Sequence, residues 1–518
     1  MAKKLFTNAK TEAGLNAAVN AGALDAHVAF IEETGNEGIH ANGKTYHTIP
    51  SNGKDGQVLI SLNGKGVWTD PNSDVDLLDV LTYGVEWDPD IADPELTRVG
   101  NMSYHKTLPI QSGMKGCIFN PKTKEVVYWL DESNWKYKKG GNPDKGEPEE
   151  LARLDGYDGE VMVYVPEFWI RSWRTNKRAV RISPTKIDDT WEHQPADFIA
   201  AYPDTLFKGS TATDLGYLGT LEKNSAVSVA NRETYCRGGG GHTSFDADSD
   251  IFKGTLGKCI TNYTRADFRK CARRAGKEIM SYKEYKNIMY WLYVIEYANF
   301  NVQAPFNPEL TTEGFHQGGL GAGLTNVTNW NSYNYENPIT PNGYTNDIGN
   351  GTGIKLIEPL GPSPRGNVFA TRWRGFENPF GDASQCVDGI IINASSVNSN
   401  TAPLSEVYAT DNPELYGETN YTVMAKIGEE DNTGESAYIK EWYLGTTAEI
   451  IPSKDGGDAT QFKCDRHSKV AGTGLRILYV GGNASQGSYA GLGHFNSGNN
   501  QYAKGYGYGF RTSCLANT

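Results

Sequence analysis

The sequence predicts an α+β protein, with a small N-terminal stem of β-hairpins and a larger domain in which helices pack against a mostly antiparallel sheet. The 518 residues include 59 Gly, 29 Tyr and 11 Trp but only 38% hydrophobic residues, which is typical of short strands, many turns and aromatic packing. Asn-Gly pairs lie between strand-like arms near the N-terminus, and two capped helical patterns lie in the middle of the chain. A chain of this length exceeds one ordinary core, so we expect two or more domains.

Residues 1–50 predict an attachment and trimerisation region. An Ala-rich stretch at 11–23 has a helical pattern, and a strand-like run follows at 27–31. Asn42 and Gly43 then stand at the centre of a tight hairpin turn. The Asn-Gly dipeptide favours two-residue turns whose backbone twist matches that of the flanking strands. We therefore expect at least one hairpin in this region.

Residues 51–83 predict a second hairpin unit, the stem. Strand-like arms at 58–62 and 65–68 flank Asn63 and Gly64. A single two-stranded hairpin is only marginally stable in water. Small hairpins gain stability when identical copies pack around an axis, which predicts a homotrimer.

The larger domain, residues 84–518, contains strand-like runs such as 161–170 and two helical patterns. Thr264 caps the first helix, and Gly276 ends it. Ser281 and Glu284 have the spacing of a capping box for the second helix. One apolar face of that helix is formed by Tyr285, Ile288, Met289, Leu292 and Ile295. Met289 and Trp291 are interpreted as core residues.

Two stretches of the larger domain are predicted to be long, irregular loop insertions. Residues 299–353 are rich in Asn, Gly, Thr and Pro and have little periodicity. Residues 401–440 are similar but more acidic. We expect both insertions to pack around the sheet and to frame the C-terminal segment.

The C-terminal segment, residues 471–518, is predicted to present a contact surface. Apolar strands at 475–480 and 510–515 frame a stretch composed mainly of Gly, Asn, Ser, Gln and Tyr. Such a stretch cannot form its own core, and its composition matches that of antigen-binding loops. The predicted receptor-binding residues are Asn483, Ser485, Gln486, Ser488, Tyr489, His494, Asn496, Asn499, Gln501 and Tyr502.

No catalytic residue, metal site or cofactor is predicted. Residues 246–250 alternate Asp with other residues, but the stretch lacks the Gly and Glu of a calcium-binding EF-hand loop. The glycine run at 238–241 is not followed by the Lys-Ser/Thr of a phosphate loop. The cysteines lie at 117, 236, 259, 271, 386, 464 and 514. Their odd number and scattered spacing indicate buried, reduced thiols, as expected of a protein assembled in a cytoplasm.

Charge and hydropathy exclude two classes of partner. The net charge of −13 argues against nucleic acid, because binding to phosphates requires clustered Lys and Arg. No run of about 18 apolar residues exists, so no membrane insertion is expected. The two lysines near the N-terminus are not followed by an apolar region, so we expect no secretory signal.

Short sequence blocks resemble those of phage proteins. Residues 373–381 (WRGFENPFG) resemble a signature of phage fibre-tip proteins, and residues 161–170 resemble an MVxxPxFxxR block of the same family. The Gly pair at 481–482, the Gly-Leu step at 491–492 and the Gly-Phe-Arg at 509–511 resemble C-type-lectin-like domains of the formylglycine-generating-enzyme type.

The resemblance implies a C-type-lectin-like fold for residues 84–518 and the function of a phage fibre-tip receptor-binding protein. Such a protein is a homotrimer that joins other virion proteins through its N-terminal region and adheres to a bacterial surface glycan or protein. It is assembled in the host cytoplasm and located in the virion. The family includes receptor-binding proteins diversified by retroelements.

Two alternatives remain open at this point. A decoration fibre of the capsid or tail would have the same architecture without receptor binding, and a tailspike would cleave surface glycans. Glycan cleavage requires two carboxylates at a defined separation, and residues 471–518 contain no acidic residue. The enzyme with a related fold uses a closely spaced cysteine pair, whereas Cys464 and Cys514 are 50 positions apart. We therefore expect a protein that is not an enzyme.

Overall fold

The chain divides into two compact units, Met1–Val80 and Leu81–Thr518. The computed structural model describes residues 77–207, 251–256, 259–261, 263–325, 342–357, 368–394, 404–432, 435–469, 472–505 and 507–516, together with the backbone of short strands within residues 1–76.

The strands of the first unit are β1 Asn8–Ala9, β2 Phe30–Ile31, β3 Ile39–Ala41, β4 Lys44–Tyr46, β5 Val58–Leu62 and β6 Lys65–Thr69. The strands of the second unit are β7 Tyr83–Trp87, β8 Thr97–Gly100, β9 Lys115–Asn120, β10 Glu125–Trp129, β11 Glu160–Val165, β12 Phe168–Arg174, β13 Arg178–Ser183, β14 Glu192–Gln194, β15 Asp197–Ala200, β16 Thr205–Phe207, β17 Ile251–Lys253, β18 Glu278–Ile279, β19 Gly353–Ile357, β20 Val368–Trp373, β21 Phe376–Glu377, β22 Ser384–Cys386, β23 Ile390–Ala394, β24 Leu404–Ala409, β25 Ala425–Asp431, β26 Ala437–Tyr443, β27 Ile451–Asp455, β28 Arg466–Ser468, β29 Gly474–Val480, β30 Phe495–Asn500, β31 Tyr508–Phe510 and β32 Thr512–Leu515.

The α-helices are α1 Leu77–Leu81, α2 Met102–Thr107, α3 Arg265–Arg274, α4 Tyr282–Glu284 and α5 Leu292–Tyr297, and a π-helical segment, Tyr285–Trp291, joins α4 to α5. Single 3₁₀ turns occur at Gln111–Gly113, Pro143–Lys145, Asn346–Ile348, Pro413–Leu415, Tyr421–Val423 and Gly487–Tyr489.

Both hairpins predicted for the first unit are present. β3 and β4 pair with Ala41 opposite Lys44, and β5 and β6 pair with Leu62 opposite Lys65. Each register leaves the Asn-Gly dipeptide as the two-residue connection, so these predictions are confirmed. The predicted helix at 11–23 lies outside the described residues.

The predicted α+β fold class is wrong, because the second unit is dominated by strands. The structure is 38% strand and only 15% helix. Its largest sheet has ten strands and closes almost into a barrel. The error arose because strands in polar, Asn-rich and Gly-rich segments give little hydrophobic alternation, while the two helices have clear capping signals.

The barrel-like sheet follows the order β25-β24-β23-β29-β30-β28-β26-β27, and β22 and β31 attach to it beside β29. The two edge strands, β25 and β27, lie in contact with each other and leave a narrow seam. Gly428 of β25 permits this approach, because a Cβ atom there would collide with Ile451 and Tyr443. The absence of a side chain at one position thus lets the sheet curve towards closure.

The region predicted as a loop insertion at 401–440 instead supplies three of these strands. β24 pairs antiparallel with β25, and β26 begins at Ala437. Asn and acidic residues disguise the strand pattern, because β-propensity depends strongly on the sheet that surrounds a residue. In the other predicted insertion, the described parts of 299–353 consist mainly of turns and isolated bridges.

Among the described residues, the larger unit also contains a three-stranded sheet, β19-β20-β21, a two-stranded sheet, β16-β17, and two larger sheets. A six-stranded sheet has the order β10-β9-β11-β15-β32-β18, and a five-stranded sheet has the order β14-β12-β13-β7-β8. β32, close to the C-terminus, pairs antiparallel with both β15 and β18. The C-terminal segment therefore joins a sheet built largely from residues 115–200.

The predicted helix caps are confirmed. Thr264 and Asp267 form a capping box at α3, and Gly276 follows the helix with φ of +86°. Ser281 and Glu284 form the capping box at α4. The helical segment that follows is buried on all sides, whereas the sequence predicted only one buried, apolar face.

Aromatic residues fill the main core, as the composition predicts. Met289 and Trp291 are 1% and 0% exposed, so their assignment to the core is confirmed. Trp373 is also fully buried, and its Nε1 donates a hydrogen bond to Glu296 on α5 at 3.1 Å. The WRGFENPFG block is therefore part of the structural core.

The six described cysteines are buried thiols, which confirms the prediction for these residues. Among the described residues, no helix is long and apolar enough to span a bilayer.

Candidate binding surface

Arg511 fixes the C-terminal segment to the body of the larger unit. Its side chain is fully buried and donates hydrogen bonds to the carbonyl oxygens of Ala201 at 2.7 Å and Asn378 at 2.9 Å, and to Oε1 of Gln385 at 3.1 Å. Burial lowers the pKa of Arg511 to about 10, so the guanidinium remains charged at neutral pH. Charge-assisted hydrogen bonds of this kind are strong, and they join the Gly-Phe-Arg block to the WRGFENPFG block.

The segment between β29 and β30, residues 481–494, is held from several directions. Backbone hydrogen bonds connect the amide of Gly381 to the carbonyl of Gly481 at 3.1 Å and the amide of Ala484 to the carbonyl of Asp382 at 3.0 Å. The side-chain amide of Gln303 donates to the carbonyl of Gly487 at 3.1 Å. These bonds satisfy the backbone of a segment that has few apolar residues, so its shape is defined before any ligand binds.

The segment predicted as one continuous loop contains strand β30, which pairs antiparallel with β29. In this register Val480 lies opposite Phe495 and Arg476 lies opposite Asn500. A strand rises about 3.3 Å per residue, so the two ends of β30 are about 16 Å apart. The structure therefore divides the predicted receptor-binding residues between two ends of one hairpin instead of placing them on one patch.

Three of the predicted receptor-binding residues are buried: Asn483, His494 and Asn496. His494 is 0% exposed and makes a 2.6 Å hydrogen bond from Nδ1 to the carbonyl oxygen of Tyr489. Burial lowers the pKa of His494 to about 4, so the ring is neutral. The prediction that His494 is a surface contact is wrong, since the ring shapes the loop from inside.

The two buried asparagines have similar structural roles. Oδ1 of Asn483 accepts hydrogen bonds from the amide and the hydroxyl of Ser485 at 3.1 and 2.8 Å. Oδ1 of Asn496 accepts from the amide of Gly498 and the side chain of Asn499 at 3.1 and 2.9 Å. Both side chains stabilise turns, a usual role of Asn.

The remaining predicted residues are exposed or half-buried. At the first end of the hairpin, Ser485, Ser488 and Tyr489 are exposed and Gln486 is half-buried. At the other end, Tyr502 is 73% exposed. Asn499 and Gln501 are half-buried there.

Tyr489 belongs to a group that the sequence did not reveal. Its ring lies 5.3 Å from the ring of Tyr438, and the guanidinium of Arg466 lies 4.0 Å from its centroid. The hydroxyl groups of Tyr438 and Ser488 are 2.8 Å apart. We call Tyr438, Arg466, Ser488 and Tyr489 the tyrosine rim. Tyr438 was missed because residues 401–440 were assigned to a loop, although Ile439 and Trp442 of the same strand are buried.

A cavity of about 190 Å³ adjoins the tyrosine rim. Its lining residues are Asn301, Gln303, Ala459, Thr460, Cys464, Asp465, Ser488 and Ala490. The wall of the cavity thus combines amide, hydroxyl and carboxyl groups with the small apolar side chains of two alanines. None of the described residues that line it is Lys or Arg.

Asp465 is the buried acid of this cavity, with 2% of its surface exposed. Burial raises the pKa of its carboxyl group to about 8, although the amide of Gly493 donates a 2.7 Å hydrogen bond to Oδ2 and opposes the shift. The carboxyl group is therefore mostly neutral at neutral pH. A Cβ atom at Gly491 or Gly493 would collide with this carboxyl group, which explains why both positions are glycine.

A second carboxyl group of unusual pKa lies near a larger cavity of about 500 Å³, which Glu284 and Ser513 help to line. Burial, followed by the charge of Glu284, raises the pKa of Asp197 well above its usual range. The carboxyl group of Glu284 is thus close enough to Asp197 to affect its pKa.

Within the described residues, no cluster of three or more His, Cys, Asp or Glu side chains has an arrangement suited to a metal ion. The acidic stretch at 246–250 lies outside the described residues. Cys464 and Cys514 are both buried, and burial raises the pKa of each thiol, so neither is prepared to act as a thiolate.

Comparisons with protein-family models and with curated proteins find no match to this chain.

Proposed function

We propose that this protein is a phage fibre-tip receptor-binding protein that adheres to a bacterial surface through its C-terminal segment. The observation that carries the proposal is the tyrosine rim, in which exposed Tyr489 and Ser488 stand on a segment anchored by backbone hydrogen bonds. Tyr rings contribute rigid, amphipathic contact area with little loss of conformational entropy.

The anchoring of residues 481–494 supports binding rather than a purely architectural role. A binding surface that is ordered in advance loses less conformational entropy when a ligand binds. The segment is held by hydrogen bonds that Gln303 and Gly381 donate and by one that the carbonyl of Asp382 accepts. Tyr502, at the far end of the hairpin, offers a second exposed ring.

The sequence blocks that resemble phage fibre proteins support the virion assignment. In this proposal the N-terminal hairpins assemble three copies and attach them to other virion proteins. Three binding surfaces would then act together, and such multivalency strengthens weak individual contacts by about 10²- to 10⁴-fold.

Replacement of Tyr489 by Ala tests the proposal. We expect assembled particles that carry the variant to adsorb to host cells more slowly than wild-type particles, because an exposed aromatic contact is lost. Tyr157→Ala is the matched control, since Tyr157 is 48% exposed and lies outside the C-terminal segment. The measurement is the adsorption rate constant, with particle composition checked by gel electrophoresis.

Unchanged adsorption for Tyr489→Ala and for Tyr502→Ala, with intact particles, would favour a decoration fibre. Equal losses for Tyr489→Ala and the Tyr157→Ala control would indicate a general effect of removing surface tyrosines, and would also count against the proposed surface.

A further inference from the structure

The cavity beside the tyrosine rim contains polar groups that the fold leaves unused. Asn301 accepts a hydrogen bond from the amide of Gln303 through Oδ1, but its Nδ2 donates to no described residue. Gln303 donates through Nε2, whereas its Oε1 accepts from no described residue. Oδ2 of Asp465 accepts from Gly493, and Oδ1 accepts from none of the described groups. The side chains that line this cavity therefore offer the side-chain amide of Asn301, the side-chain carbonyl of Gln303 and the free oxygen of the Asp465 carboxyl group.

Asn301 and Gln303 are half-buried, so these atoms can bond to a ligand that enters the cavity. Asp465 is the most buried of the three, since only 2% of its surface is exposed, and no charged neighbour contributes to its pKa. Carboxyl groups with strongly shifted pKa values beside cavities are candidates for functional sites.

Size and charge narrow the class of ligand. A volume of about 190 Å³ corresponds to about six water molecules in the liquid, which suits one sugar ring and not a peptide or an oligosaccharide. Because no Lys or Arg lines the cavity, it offers no counter-charge to an anion. Its amides, hydroxyls and neutral carboxyl group can donate to and accept from the hydroxyl groups of a sugar.

We propose that the cavity lined by Asn301, Gln303 and Asp465 binds one neutral sugar ring, the terminal residue of a bacterial surface glycan. The small side chains of Ala459 and Ala490 contact the apolar face of the ring, and Ser488 connects the cavity to the tyrosine rim. This inference rests on the proposed function, since it specifies the receptor chemistry of the same surface.

Binding of free sugars to the full-length protein tests the inference. The probes are the neutral sugars glucose, galactose, mannose, N-acetylglucosamine and rhamnose, together with cationic glucosamine and anionic glucuronate. The measurement is saturation-transfer difference NMR, followed by titration of each sugar that gives a signal. We expect at least one neutral sugar to bind and glucuronate not to bind.

Ala459→Leu is the decisive variant, because it fills the cavity without removing a hydrogen bond of the fold. We expect it to raise the Kd of the bound sugar at least about tenfold, equivalent to about 1.4 kcal/mol. Ala425→Leu is the matched control, since Ala425 is exposed and does not line this cavity. Thr460→Phe, at an exposed position of the lining, obstructs the cavity independently if Ala459→Leu fails to fold.

The outcomes separate this inference from the proposed function. Binding of no neutral sugar, binding of glucosamine alone, or equal Kd values for Ala459→Leu and Ala425→Leu would overturn the inference, while adsorption that depends on Tyr489 would still support adhesion. A sugar that binds the cavity, combined with adsorption that is unaffected by Tyr489→Ala, would overturn the proposed function and leave the cavity as a sugar site.

Discussion

For the candidate site, the sequence predicted which types of residue form a contact surface, but not which individual residues are exposed. A segment rich in Asn, Ser, Gly and Tyr indicates a contact surface, and Ser488, Tyr489 and Tyr502 are indeed exposed. Asn and His occur both on binding surfaces and inside turns. The sequence therefore did not show that His494 and two of the asparagines are buried. Asp465 was missed because a lone Asp has no spacing pattern, and only the fold shows that it is buried beside a cavity.

Asp465→Asn should reveal the cost of the buried carboxyl group. The pKa of Asp465 rises from about 3.9 in an unfolded chain to about 8 in the folded protein. A raised pKa favours folding at low pH, and this contribution is lost as the pH rises through the folded value. Because Asn stays neutral, we expect the variant to gain several kcal/mol in unfolding free energy relative to wild type between about pH 4 and pH 8.

Urea unfolding of both proteins across that pH range measures this difference. Asp90→Asn serves as the control, because Asp90 is exposed and its substitution should have little effect at any pH. A difference between Asp465→Asn and wild type that does not change with pH would contradict the prediction.

At the scale of elements, the sequence predicted hairpins and helix caps correctly, but it did not predict the pairing of strands that are distant along the chain. Both Asn-Gly hairpins and both capping boxes depend on residues within four positions of one another, so the sequence displays them directly. The pairing of β24 with β25, and of β29 with β30, depends on contacts between distant strands. Polar composition concealed β24, β25 and β30, since their stability comes from the surrounding sheet, whereas β29 is apolar and was predicted.

The seam of the barrel-like sheet is held by a buried charge network centred on His467 of β28. Its Nε2 lies 2.6 Å from Glu430 of β25, and its Nδ1 lies 3.2 Å from Asp455 of β27. Nζ of Lys469 lies 2.6 Å from Asp455, and the hydroxyl of Ser497 on β30 donates to Glu430. One imidazolium thus bridges the two edge strands of the sheet.

His467→Gln should weaken this seam in a pH-dependent manner. Burial lowers the pKa of His467, but the charges and hydrogen bonds of Glu430 and Asp455 outweigh burial and raise it above the usual value. The imidazolium contribution is therefore fully present below about pH 6.5 and is lost as the pH rises through the folded value. We expect the variant to lose about 3 kcal/mol near neutral pH, because the buried carboxylate of Glu430 loses its charged partner and half-buried Asp455 loses one of two.

The measurement is the difference in unfolding free energy between wild type and variant at several pH values, which should narrow as the solution becomes alkaline. His193→Gln is the control, since His193 forms an exposed ion pair with Glu167 and should contribute little. An equal loss at all pH values would indicate that packing of the ring, and not its charge, holds the seam.

At the scale of the whole molecule, composition correctly predicted aromatic packing, but the predicted fold class was wrong. The helices at 265–297 are conspicuous in sequence, yet they form a small part of a unit dominated by strands. Fold class depends on how many strands pair, which a polar, Gly-rich sequence does not display. The proposed function depends on the exposed rim and its anchored segment, and not on the fold class.

Removal of the first 76 residues provides a test of assembly. We expect the full chain, at 56.8 kDa per copy, to be a trimer in sedimentation equilibrium and a chain that begins at Leu77 to be a monomer. The truncated chain retains α1 and the whole of the larger unit, which has its own core.

Loss of multivalency should weaken the binding of the truncated chain to bacterial cells at least about 100-fold, while its Kd for a free sugar stays unchanged. A truncated chain that remains trimeric would assign assembly to the larger unit, and a monomeric full chain would remove avidity from the proposed mechanism of adhesion.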